Sequence, residues 1–362
     1  SRYNGESIDI KKVVDDYDII NIKAPMGCGK SYDLKQLFKQ KKYKSIIYFS
    51  CKRAFASSMV SDFQKYGFKN YLDVQEKHNI VDIERIICSV ESIQYCRNKY
   101  DLVIIDESES ICDNLMGAMF IKNKPIEGAT KIYDMIRNSN KIIVMDAYLT
   151  SRSFDMIKDI LKEDILNKKS ILIKNKFKYE QREYIDCDKK GFIKNLKNLI
   201  NDGKRCVVVS GSKNLSDSIK LEIQNITIKT YDNKNPLPLC VNVNDEWKDC
   251  QLLIYTPTIT AGISYDPQLK EGGKDISKHF DNLFIYCVNK GSCHFRDTIQ
   301  AHKRVRDFKN KTIYICINDN FKGHPYETMP LTKEGIIEIE YKYKASLFGS
   351  EVNTLKSIDT LI

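Results

Sequence analysis

Two residues carry the clearest chemistry in this chain. Lys30 and Ser31 close the run Ala24-Pro25-Met26-Gly27-Cys28-Gly29-Lys30-Ser31, which follows the short apolar stretch Ile19–Ile22 and precedes a helical pattern. Gly27 and Gly29 allow the backbone to turn its N–H groups toward phosphate oxygens, and the helix N-terminus adds the positive end of its dipole. In such a loop Lys30 reaches the β- and γ-phosphates of a nucleoside triphosphate, and the Ser31 hydroxyl holds Mg²⁺. Pro25, Met26 and Cys28 supply the remaining loop backbone. The pattern G-x-x-x-x-G-K-[ST] opens on glycine, whereas this chain has Ala24.

A second constellation follows in "YDLVIIDESES", an apolar strand ending in Asp106-Glu107. A phosphate-loop enzyme needs one carboxylate at the tip of a neighbouring strand for the metal, and another to orient an attacking water. Asp106 fits the first role and Glu107 the second. The alternative is a strand end carrying solvated polar residues, of which Ser108 and Glu109 are examples. Late in the chain, "FRDTIQAHKRVRDF" sets Gln300 ahead of Arg304 and Arg306. On a helix Gln300 and Arg304 share a face, and an arginine fork suits the charge of a transferring phosphoryl group. The plain alternative is a basic exposed helix.

The elements that would position these residues are near-continuous Val/Ile runs alternating with Lys/Glu-rich helical stretches. The runs are Ile19–Ile22, Ser45–Phe49, Ile86–Cys88, Leu102–Ile105 and Lys141–Met145, then a second set. That set comprises Ser170–Ile173, Cys206–Val209, Ile226–Lys229, Gln251–Tyr255, Asn282–Tyr286 and Thr312–Ile317. Strands buried on both faces and separated by helices predict an α/β fold, with parallel sheets flanked by helices. Two lobes are expected, 1–175 and 176–328, with the boundary in the charged stretch between Lys168 and Tyr184. Residues 329–362 read as a helical extension, the possible start of a further domain. Asp232–Pro238 and Pro267–Asp275 read as surface loops.

The chain has 362 residues, enough for two cores, and carries a formal charge of +10, from 58 Lys+Arg against 48 Asp+Glu. A basic excess suits a phosphate-rich partner, though it also fits a merely soluble surface. No apolar run approaches the roughly 20 residues that span a bilayer, so no membrane partner is expected. The polar, acidic opening is unlike a signal peptide, and the start at Ser1 suggests a piece of a longer polypeptide. The 12 cysteines are scattered without a C-x-x-C pair, and Cys88, Cys206, Cys287 and Cys316 lie in apolar runs. They read as reduced core thiols in an intracellular, reducing setting rather than as a metal site.

Taken together, eight segments in order resemble a superfamily 2 helicase. More narrowly, they are similar to the herpesvirus-type replication origin-binding helicases and the primase-helicases of large DNA viruses. The segments are "APMGCGKS", "YFSCKRAF", "CSVESIQ", "IIDESES", "VMDAYLT", "VVVSGSK", "YTPTITAGISYD" and "QAHKRVR", spanning Ala24 to Arg306. The resemblance implies two RecA-like lobes with ATP and Mg²⁺ in a cleft between them. Lys30, Ser31, Asp106 and Glu107 would come from the first lobe; Gln300, Arg304 and Arg306 would come from the second. It implies that Asp146 and Thr150 link nucleotide state to strand binding. Ser50, Lys52, Arg53, Ser89 and Ser92, with Ser210, Gly211, Ser212, Thr256 and Thr258, would touch a DNA backbone. Taken singly, such serines and threonines more often cap helices and turns. Where many relatives carry Gly-Ile-Asp, this chain has Gly262-Ile263-Ser264, so the resemblance implies that the acidic nucleotide contact is either lost or moved to Asp266. No adenine-reading motif precedes the loop. The resemblance implies an ATP-dependent DNA helicase or translocase at a viral replication site. Its partners would be single-stranded or forked DNA, and other replication proteins or a covalently attached primase or origin-binding domain. A remodelling or packaging ATPase without strand separation is the alternative; a phosphate-loop small-molecule kinase is a more distant one.

Overall fold

The computed structural model describes residues 10–25, 28–50, 60, 63–115, 125–175, 182–238, 241–259, 279–288 and 308–318, with short stretches at 265, 270–271, 274–275, 298–299 and 301–305. Among these, the chain divides into two compact units that part between 178 and 179. The expected helical extension at 329–362 lies outside the described residues.

The first unit is a seven-stranded sheet, every pairing of which is parallel. Its strands are β1 (Ile19–Lys23), β2 (Ile46–Ser50), β3 (Lys69–Asn70), β4 (Arg85–Ser89), β5 (Leu102–Asp106), β6 (Lys141–Asp146) and β7 (Ser170–Lys174). They lie in the order β3-β4-β2-β5-β6-β1-β7. Helices α1 (Ile10–Val13), α2 (Lys30–Lys39), α3 (Ser108–Leu115), α4 (Pro125–Asn138) and α5 (Ser151–Leu161) fall between the strands. All five residues of β5 are buried, as a central parallel strand covered on both faces requires. The run Ser170–Ile173, grouped by sequence with the later strands, instead ends this first sheet by pairing with β1. Its alternating exposure marks an edge strand, whose periodicity a short SILIK run does not reveal.

The second unit is a six-stranded sheet, again wholly parallel. It is built from β8 (Glu183–Asp186), β9 (Cys206–Ser210), β10 (Ile228–Tyr231), β11 (Leu252–Tyr255), β14 (Asn282–Val288) and β15 (Thr312–Asn318). The order is β10-β11-β9-β14-β15-β8. Strand β8 went unseen because "EYID" is a short, exposed edge with no apolar run. Within the expected surface loop Pro267–Asp275, Lys270–Glu271 (β12) and Lys274–Asp275 (β13) form an antiparallel pair. Helices α6 (Lys189–Asn201), α7 (Lys213–Glu222) and α8 (Val243–Glu246) complete the described part. Asp188, Ser212 and Asn242 cap their N-termini with side-chain oxygens.

Each face of the second sheet has its own core. On one, Trp247 stacks on Tyr255 with ring centroids 6.1 Å apart, and Tyr231 and Tyr265 close round it. On the other, Phe284 stacks on Tyr314 at 4.5 Å and meets Phe192 edge-on at 5.3 Å. Truncating Phe284 leaves a cavity between two rings. Phe284→Ala is therefore expected to destabilise this unit by about 3–5 kcal/mol. Trp247 is the single tryptophan, so its fluorescence during urea unfolding reads that loss directly, as a lowered midpoint.

Candidate functional site

Parallel strands bring their C-terminal ends to one edge, the usual place for a ligand in an open α/β sheet. In the first unit that edge collects Lys23, Ser50, Ser89, Asp106 and Asp146. The order is informative. Strand β6 lies between β1 and β5, so Asp106 is two strands from the phosphate loop and Asp146 is next to it. The sequence expectation of an acid on the adjacent strand is corrected in that respect: the immediate neighbour contributes Asp146, in register with Lys23.

The turn itself is built around Gly29, whose φ of +84° is left-handed and places it as the residue before α2. Glycine supplies no side-chain cap there, so the first-turn N–H groups of α2 receive none from it. Ala24 stands where the motif has glycine, and the structure gives a reason that the exchange is harmless. Ala24 extends the strand pairing, its N–H donating to the Asp146 carbonyl at 3.2 Å, with no positive φ to favour glycine. The Lys30 ammonium donates to the Ala24 carbonyl at 3.0 Å, over the loop. Cys28 donates its N–H to Pro25, and Ser31 is half-buried in the first turn. Met26 and Gly27 lie outside the described residues.

At the end of β5 both Asp106 oxygens are engaged. Oδ1 accepts the Glu107 N–H at 3.0 Å, and Oδ2 accepts the Tyr48 hydroxyl at 2.5 Å. Burial pushes the Asp106 carboxyl above its ordinary range, while the Lys30 charge and the Tyr48 hydrogen bond pull it back. Glu107 has φ +54°, a left-handed conformation that costs a non-glycine residue about 1 kcal/mol or more. Its carbonyl accepts the N–H groups of Ser110 and Ile111, which starts α3.

Ser108 and Glu109, offered above as examples of solvated residues, are buried instead, at 0% and 3% exposure. Glu109 is the hub of a network the sequence did not reveal. Its N–H donates to Asp146 Oδ2 at 2.9 Å; its Oε1 accepts the Thr150 N–H at 3.0 Å and the Ser153 hydroxyl at 2.6 Å. Arg152 donates to the Glu109 carbonyl and to Asp113, both at 2.7 Å. Thr150 also caps α5 by accepting the Arg152 N–H. Lys23 adds a tie from the loop side, donating to the Leu149 carbonyl at 2.9 Å. Asp146 and Thr150 are thus joined through Glu109. The only advance signal was the start of a helix directly after Asp106-Glu107, which turns Glu109 back toward the sheet.

The oxygen-rich set of Asp106, Glu107 and Ser31, with a lysine beside it, suits a hard divalent cation and its phosphate ligands. Asp106 and Ser31 are the residues that would hold Mg²⁺. Among the described residues no group of three or more His, Cys, Asp or Glu is placed to hold a metal ion.

Residues expected at the DNA backbone fare unevenly. Ser50 ends β2 in register with Ser89; Lys52 and Arg53 lie outside the described residues. Ser89 is 1% exposed and its hydroxyl donates to Tyr71 at 2.9 Å, so it is engaged inside the unit. Ser92 lies in the partly exposed 3₁₀ turn Val90–Tyr95. In the second unit Ser210 is buried and forms a local turn with Ser212, donating to its carbonyl at 2.7 Å. Ser212 caps α7. Gly211 packs closely: a Cβ there would lie 3.1 Å from Val288 Cγ2 and 3.3 Å from Thr298 Oγ1. Thr256 and Thr258 share a 2.8 Å hydroxyl contact. Arg304 is 7% exposed in the 3₁₀ turn His302–Arg304, which Val305 ends by bridging to Tyr265. At 302–305 a basic exposed helix is therefore not what forms. Gln300, Arg306, Gly262 and Asp266 lie outside the described residues. A separate cleft of about 1170 Å³ runs along Gln64–Asn70 and Glu84–Arg85, at the other end of β4. It contains none of the residues singled out by sequence.

Two α/β units, each a parallel sheet flanked by helices, define the class: a RecA-like two-lobe fold. Residues 7–180 match the family described as "Origin of replication binding protein". The chain is similar to "Replication origin-binding protein" of human herpesvirus 7, at 26% identity over 326 residues, covering 86% of this chain and 39% of that protein. It is also similar to "Uncharacterized putative helicase R8" of Acanthamoeba polyphaga mimivirus, at 28% identity over 319 residues, covering 81% of this chain and 29% of that protein. The chain thus spans less than two-fifths of the relatives it matches. Among solved structures, "S. cerevisiae Dbp5 bound to RNA and ADP BeF3" shares the fold, with a TM-score of 0.54 at 12% identity, covering 98% of this chain and 93% of that one. Among the described residues no helix is long and apolar enough to cross a membrane.

The Asp146 carboxyl gives a testable electrostatic signature. Burial, and then the charge of Glu107, raises it to about 6. The native state therefore binds this proton more tightly than the unfolded chain, so this carboxyl's contribution to stability is greatest below about pH 4 and is lost as pH rises through about 6. Asp146→Asn lacks this dependence. Urea unfolding from pH 4 to 7 should show wild type losing stability relative to the variant across that window; a constant difference contradicts the assignment.

Proposed function

We propose that this chain is the motor core of an ATP-dependent DNA helicase or translocase serving viral DNA replication. The carrying observation is the cluster of Lys30, Asp106, Glu107 and Asp146 at one sheet edge beside the N-terminus of α2. Lys30 and the loop amides bind the β- and γ-phosphates of ATP, and Ser31 and Asp106 hold Mg²⁺. Bound Mg²⁺ supplies charge neutralisation for the transferring phosphoryl group. Glu107 orients the attacking water. Gln300, Arg304 and Arg306 are the residues assigned to the charge that develops on the phosphoryl oxygens.

The network from Asp146 through Glu109 to Thr150 carries nucleotide state into the rest of the first unit. Ser50, Lys52, Arg53 and Ser92, with Ser212 and Thr258, grip the DNA backbone without reading its sequence. The name of the herpesvirus relative and the RNA-bound yeast protein of the same fold support a nucleic-acid partner.

Steady-state ATP hydrolysis, with and without single-stranded DNA, tests the proposal. DNA should stimulate turnover, and Lys30→Ala should lower it by about 100-fold or more. Rapid turnover indifferent to nucleic acid would overturn the motor.

A further inference from the structure

Tyr48 lies in the middle of β2 within an otherwise aliphatic and aromatic run, Ile46-Ile47-Tyr48-Phe49, and is fully buried. A hydroxyl in such a place needs a partner. The structure supplies one: the phenol donates to Asp106 Oδ2 at 2.5 Å. The other Asp106 oxygen is fixed by the Glu107 N–H. The carboxylate is therefore clamped from both sides, its plane and rotamer set by one backbone and one side-chain donor. Each oxygen keeps a lone pair for a further ligand.

The position of the clamp adds a second consequence. Strand β2 pairs directly with β5, with Tyr48 in register with Ile104 and Phe49 with Ile105. Two residues beyond Tyr48 is Ser50, followed by Lys52 and Arg53, which the proposed function assigns to the DNA backbone. A displacement of the end of β2 thus reaches Asp106 through one rigid ring.

We propose that Tyr48 is the positioning residue of the metal-holding carboxylate, orienting Asp106 for Mg²⁺ and joining the DNA-facing end of β2 to the nucleotide site. The inference rests on the reading of Asp106 as the Mg²⁺ residue. Outer-shell partners of ligating carboxylates typically contribute 10- to 100-fold in metal affinity, and Tyr48 should fall in that range. Removing only the hydroxyl keeps the ring, which packs edge-on against Phe63 at 5.7 Å.

The test uses the full 362-residue chain. ADP binding is measured by calorimetry across a Mg²⁺ titration for wild type, Asp106→Asn and Tyr48→Phe, with melting temperatures as a folding control. Asp106→Asn should abolish most of the Mg²⁺ dependence. Tyr48→Phe should bind ADP normally at saturating Mg²⁺ but need about tenfold more Mg²⁺ for half-saturation. A Tyr48→Phe curve that overlays wild type, while Asp106→Asn is shifted, overturns the role of Tyr48 alone. Mg²⁺ independence in wild type itself overturns the reading of Asp106 and the inference with it. A Tyr48→Phe chain that melts far below wild type and has lost ADP binding even at saturating Mg²⁺ also counts against it, since the ring would then be serving the fold.

Discussion

The first unit is organised around a concentration of negative charge that its own topology creates. Parallel pairing forces the strand ends to one edge, and here β5 and β6 end in Asp106 and Asp146, with Glu107 and Glu109 directly behind. All four are buried. Like charges brought together in a low-dielectric setting repel strongly, and each needs donors or a cation nearby. Lys30 supplies positive charge to Asp106 and Asp146, and Arg152, 3.6 Å from Glu109 Oε2, supplies it to Glu109. The rest comes from the N–H groups of Glu107, Glu109, Tyr148 and Thr150, and from the hydroxyls of Tyr48 and Ser153.

That arrangement explains why the surrounding parts take the shapes they do. The left-handed Glu107 turns the chain sharply out of β5, so that α3 begins at once and aims the Glu109 N–H at Asp146. Thr150 and Ser153 open α5 on the other side of Glu109, and Arg152 ties its carbonyl to Asp113. Loop, acid pair and the segment after β6 are therefore not independent features. A change in the charge held over the loop alters the same carboxylates that position α3 and α5. Coupling of this kind needs an element with two arrangements, and the shared acids are where such an element would be biased.

Much of this was legible in the sequence where a single physical demand dominates. Central strands such as Leu102–Asp106 and Cys206–Ser210 are apolar throughout because both faces are covered. The glycine turn announced itself because Gly29 must adopt a left-handed φ. The edge strand β8 hid, since it has no apolar run, whereas the Ser170–Ile173 run of β7 was legible as a strand. The tertiary hydrogen bonds hid more completely. Nothing local marks Tyr48 as a partner of a residue 58 positions away, or Glu109 as buried rather than solvated. The hydroxyl residues assigned by resemblance to DNA illustrate the reverse problem. Ser210 and Ser212 serve turn and cap, and Ser89 faces Tyr71, roles that their residue types favour on their own.

The central claim is that the edge formed by β1, β6 and β5 receives a nucleotide phosphate and passes its presence through the buried acids. Hydrogen–deuterium exchange of the full chain, with and without Mg²⁺ and ADP, addresses it directly. The claim requires slowed exchange in 28–33, 106–111 and 146–153 together, because one network holds all three. Protection confined to the 64–85 cleft, or to the loop alone with the other two segments unchanged, would contradict it.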